Sequence, residues 1–129
     1  MIRLALLLLL ALPGGQVRDV TSADGVRYRV AWEAPARHVA GTNALVFRLT
    51  TRAGRPLRAT RFAVLPWMWM GRGDGHATPT EAPRETSPGV WRVPIYYVMP
   101  GEWTMAVVVA RRGVRPDTVR FAPFLVHDR

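Results

Sequence analysis

The chain is 129 residues long, enough for one domain with a modest core, and has 18 basic residues, 9 acidic ones and no cysteine. Lacking thiols, it has no disulfide framework, no thiolate metal site and no lipid-anchoring cysteine, so packing alone must hold the fold. The formal charge of +9 comes entirely from arginines scattered along the sequence, without the clustering beside stacking aromatics that marks a nucleic-acid footprint.

In chain order, Met1-Ile2-Arg3 is a short basic segment and Leu4 to Leu12 an unbroken apolar run, closed by Pro13, Gly14 and Gly15. The run is too short to span a bilayer comfortably and suits a signal peptide, so residues 1–15 are expected to be a leader cut near Gly15 and residues 16–129 an exported domain. A retained N-terminal anchor or a misplaced start is the alternative.

Beyond residue 15 no 3.6-residue period is sustained, and the signal is alternation. Val26, Tyr28, Val30 and Trp32 alternate with polar or small residues as one half-buried strand. Residues 35–43 are expected to be a loop, with Gly41-Thr42-Asn43 as its turn. Leu45, Phe47 and Leu49 mark the second strand, Ala53-Gly54-Arg55-Pro56 a tight turn, and Arg61 to Met70 the third strand. Residues 71–89 are rich in Gly, Pro, Thr and Ser and are expected to form a long exposed loop, a class of segment that often carries function.

From Val90 to Met99 the face Trp91, Val93, Ile95, Tyr97, Met99 is apolar, and Pro94 on the other face argues for an edge or a bulge. Trp103, Met105, Val107 and Val109 form the next inward face, with Met105 expected in the core. After Arg111-Arg112-Gly113 comes a last strand, roughly Thr118 to Val126, with Pro123 as a bulge. About seven strands at these spacings predict an all-β fold, an immunoglobulin-like antiparallel β-sandwich, with a small barrel as the alternative.

Three motifs fall in order within this pattern: Met68-Trp69-Met70-Gly71, Pro88-Gly89-Val90-Trp91 and Met99-Pro100-Gly101-Glu102-Trp103. Over roughly Val26 to Val126 the chain resembles the YtkA-like domain family and the related FixH proteins, which are linked to assembly of cytochrome oxidases. The resemblance implies an immunoglobulin-like sandwich outside the cytoplasmic membrane, in the periplasm or secreted to the cell-envelope exterior, and for some members a copper-handling role. One position departs from the family pattern. Where a histidine would follow Met-Gly, this chain has Arg72, and the nearest histidine is His76.

The residues themselves allow two readings of this segment. On a strand Met68 and Met70 share a face at about 7 Å between Cα atoms, and Trp67 and Trp69 share the other. Thioethers and a neutral imidazole are soft donors suited to Cu(I), so Met68, Met70, His76 and Met99 are the candidate copper ligands. In the other reading the methionines fill core space and Trp67 and Trp69 form an apolar docking tip for a membrane or periplasmic protein. His38 and His127 are expected on the surface.

An enzyme is not expected. Ser22 and Ser87 are the only serines and neither has a nucleophile-elbow context, no histidine pair has zinc-binding spacing, and the carboxylates are dispersed. The expected partner is an envelope or membrane protein, such as an oxidase-assembly or copper-handling protein, with no nucleic acid and no small-molecule substrate. The charge is also compatible with a weak attraction to anionic lipid headgroups or other polyanions at a cell surface.

Overall fold

Along β2 (Arg27–Glu33) the side chains of Tyr28, Val30 and Trp32 are buried while their neighbours are not, the period-two burial expected of a strand with one wet face. The same alternation runs through β4 (Gly41–Thr51), β8 (Val90–Tyr97) and β9 (Gly101–Ala110). Two antiparallel-rich sheets with apolar inner faces must pack face to face, and the chain is an immunoglobulin-like β-sandwich. The computed structural model describes residues 15–33, 37–71, 74–77 and 80–129, without the side chains at positions 70, 71, 74, 76 and 77. Residues 1–14 of the expected 1–15 leader lie outside them.

The first sheet has the order β1 (Gln16–Thr21), β2, β4, β8, β7 (Arg84–Ser87). In the second, β3 (His38–Val39), β11 (Phe124–His127), β9, β5 (Arg61–Gly71) and β6 (Asp74–Ala77) follow one another, and β10 (Asp117–Arg120) pairs with β9 above β11. No helix occurs among the described residues. Between the sheets Trp32 and Trp103, 1% and 0% exposed, are the largest side chains fully buried. Trp32 lies in ring contact with Phe47 of its own sheet and with Phe121 and Phe124 of the other, so aromatic packing joins the layers where antibody domains use a disulfide.

The expected strands are present, with Met105 in the core at 1% exposure. The last one is split at Ala122-Pro123 into β10 and β11, because proline cannot extend the ladder to β9. Pro94, expected at an edge or bulge, lies on β8 beyond its last pair with β7 (Arg84 with Arg92), where that side of the strand is locally an edge. Its carbonyl accepts from Glu81 N at 3.3 Å, and a strand residue's N and O point the same way, so the missing N–H faces the margin where β7 no longer pairs.

Two expectations are corrected and one strand is added. Residues 35–43 are not all loop, since β3 and the start of β4 lie there. Asn43 is buried, and its side-chain amide donates to Val39 O and Gly41 O at 2.7 and 3.0 Å, supplying the backbone partners that let the chain bend between the two strands. Residues 71–89 are not one long loop either: β6 folds back on β5 as a hairpin and β7 adds an edge to β8. Finally, β1 has no clear apolar face and was not anticipated. It is held by its ladder to β2 and by the Gln16 side chain, whose Nε2 donates to Ala122 O at 2.8 Å while its Oε1 accepts from Ala122 N at 2.7 Å.

Candidate functional site

Strand parity divides the Trp67-Met68-Trp69 segment as expected. Met68 pairs in register with the buried Trp103, which places it on the inner face, and it is half-buried against the core. Trp67 and Trp69 take the outer face of β5, where Trp69 is 58% exposed and Leu65, two residues earlier on the same face, is 52% exposed. The two indoles meet edge-on, with centroids 6.0 Å apart. Trp67 is half-buried because its ring lies against Gly75 of the β5–β6 hairpin, where any Cβ would collide with the indole.

These side chains border an open groove of about 420 Å³ on the outer face of the second sheet. Leu65, Trp67 and Trp69 form one wall, Thr104 and Ala106 of β9 the floor, and Thr118 and Arg120 of β10 the other wall. The ladder sets this geometry, since Leu65 pairs with Ala106, Trp67 with Thr104, and Arg120 with Ala106. The small residues on β9 are what leave the depression between larger neighbours. Thr104 Oγ1 donates to Trp67 O at 3.3 Å and Arg18 Nε donates to Arg120 O at 3.1 Å, fixing both walls. Leu65, Thr104, Ala106 and Arg120 were not singled out from sequence, although Leu65 shares its parity with both tryptophans.

The candidate copper ligands collect at the same end of the sandwich. Met68 Cε lies so close to Gly101 that a Cβ there would come within 2.5 Å of it, and the positive φ of 138° at Gly101 also favours glycine. Met99 stands two residues before Gly101, half-buried against the core, and its carbonyl accepts from Trp103 Nε1 at 3.1 Å. His76 is the direct ladder partner of Met68 on β6. The side chains of Met70 and His76, and Arg72 entirely, lie outside the described residues. Among the described residues no group of three or more His, Cys, Asp or Glu side chains is placed to hold a metal ion, a set that does not include methionine.

His38 is not a surface residue. It is 5% exposed, with ring centroids 4.7 Å from Phe124, 5.2 Å from Trp32 and 5.8 Å from Tyr97, and the Tyr97 hydroxyl is 3.4 Å from its Nδ1. The parallel pairing of β3 with β11 carries it inward, a contact between distant segments that local composition does not signal. Burial also pushes the Tyr97 phenol well above its ordinary range. His127 is half-buried, and its carbonyl accepts from Ala40 N at 2.8 Å.

No family model matches the chain, and no curated protein matches it. Among solved structures it is similar to the Lin-41 filamin domain, at 13% identity and a TM-score of 0.54, over 78% of this chain and 91% of that one. At that identity the likeness bears on the fold alone, and it agrees with the immunoglobulin-like sandwich built above.

Proposed function

We propose that this chain is an exported, non-catalytic docking module of YtkA-like type, which binds an envelope or membrane protein through the outer face of its second sheet. The observation that carries this reading is the exposure of Trp69 and Leu65 beside the groove floored by Thr104 and Ala106. A large aromatic held out of the core next to a depression is the arrangement of an interface anchor, and such residues dominate binding energy. In this reading neither nucleic acid nor a small-molecule substrate is bound.

A photo-crosslinking side chain placed at position 69 in cells is expected to give a discrete protein adduct, and one at Val17 on the opposite sheet none. Trp69→Ala should weaken the isolated complex by roughly ten- to a hundredfold. Equal crosslinking from both positions, or none from 69, would count against the reading.

The proximity of Met68, Gly101 and Met99, with His76 opposite Met68, favours a second role in binding or delivering Cu(I) through Met68, Met70, Met99 and His76. Competition against a colorimetric Cu(I) chelator should show about one ion bound per chain. It should be lost on changing the three methionines to leucine, volume-conserving swaps that cost under about 1.5 kcal/mol each. Copper retained by that folded variant sinks this role.

A further inference from the structure

The arginines that are scattered in sequence are gathered in space. The β1–β2 turn, the β4–β5 connection and the β9–β10 turn all lie at the end of the sandwich away from Trp103, joined by Thr60 N donating to Ala110 O at 2.8 Å and by the Arg111–Asp24 ion pair at 2.6 Å. Arg27 follows the first of these turns. The second connection carries Arg52, Arg55 and Arg58 and runs into Arg61. The third carries Arg111, Arg112 and Arg115. Seven of these eight are exposed, all but Arg111.

The carboxylates near them are already engaged. Asp24 pairs with Arg111, which holds its carboxyl below the ordinary value, and Glu85 faces Arg58 at 3.6 Å. Asp117 accepts hydrogen bonds from Ser22 and Tyr28 at 2.9 and 2.6 Å. Arg27, Arg52, Arg55, Arg61, Arg112 and Arg115 make no ion pair among the described residues. At the opposite end the described charges are nearly balanced, Arg37 and Arg129 against Glu81, Glu102 and Asp128.

We propose that this basic pole is a docking surface for an anionic phospholipid bilayer. The shape of the pole selects that partner over nucleic acid. Gly25, Gly54 and Gly113 sit at positive φ where the chain reverses, and the seven exposed arginines lie in or beside these three connections. No helix or protruding ribbon is offered to a duplex groove, and none of the exposed large hydrophobic residues lies on these turns to stack on single-stranded bases. A plane of phosphate headgroups needs neither. Guanidinium groups pair with phosphate bidentately, and several basic side chains brought to an anionic surface add their attractions. The proposal does not rest on the tryptophan face, and its test uses different residues.

The test is co-sedimentation of the full chain with vesicles of phosphatidylcholine alone and of phosphatidylcholine with phosphatidylglycerol. Binding is expected to depend on phosphatidylglycerol and to disappear at about 0.5 M salt, where screening is nearly complete beyond contact. Changing Arg52, Arg55, Arg112 and Arg115 together to Gln should lower the phosphatidylglycerol-dependent partitioning by roughly a hundredfold or more, and Arg112→Gln with Arg115→Gln alone by about tenfold. Trp69→Ala should leave it unchanged. If the quadruple variant does not stay folded, the double variant and the salt series decide. Partitioning that ignores phosphatidylglycerol or survives the arginine changes overturns the proposal. So does tighter binding to a duplex oligonucleotide at matched phosphate concentration.

Discussion

Tyr28 ties the first sheet to β10 through Asp117, whose Oδ2 accepts both the phenol at 2.6 Å and the Ser22 hydroxyl at 2.9 Å. Burial, and then the bond to Asp117, raise the Tyr28 pKa far above its ordinary value of 10.0. The group is therefore neutral when folded and ionisable when unfolded. Its contribution is complete below pH about 10 and falls as pH rises beyond it, because there the unfolded chain binds fewer protons. The denaturation midpoint should drop between about pH 10 and 12. Tyr28→Phe should flatten that drop without abolishing it, since Tyr97 is raised by burial as well, and should cost about 1–2 kcal/mol at neutral pH. An unchanged alkaline slope in the variant would refute the assignment to Tyr28.

At the level of elements, a strand with little burial of its own is secured by side chains. β1 shows one of the wettest profiles in the molecule, yet Gln16 and Arg18 reach over to backbone groups of Ala122 and Arg120 in the other sheet. Gln16 in effect supplies the peptide group that Ala122 lacks where β10 gives way to β11. Gln16→Ala removes two hydrogen bonds and should cost about 1–3 kcal/mol. Amide exchange should speed up at Ala122, across β1 and at the β2 amides that face it, while β8 and β9 stay protected. Faster exchange everywhere would mean that β1 is not a separate unit.

For the molecule as a whole, legibility followed the range of the signal. Parity is local, so the inward Tyr28-Val30-Trp32 face, the core position of Met105 and the split between Met68 and Trp67/Trp69 could be read from neighbours alone. What could not be read depends on distant partners. β1 needs Ala122, the burial of His38 needs β11, and the groove needs Ala106 to lie beside Leu65. The basic pole is the sharpest case. Its arginines span positions 27 to 115, and only the turn-to-turn topology turns dispersed charge into one surface.

The bond between Gln16 and Ala122 joins residues 106 apart in sequence, and so has a consequence in time. Contacts this distant are slow to close, because the intervening chain must first be ordered. A growing chain could pair β2 with β4 and β4 with β8 early, but it could not seal its first strand until position 122 had been made. Until then β1 is held by its ladder to β2 alone, and its clasp onto the second sheet is among the last contacts the chain can make.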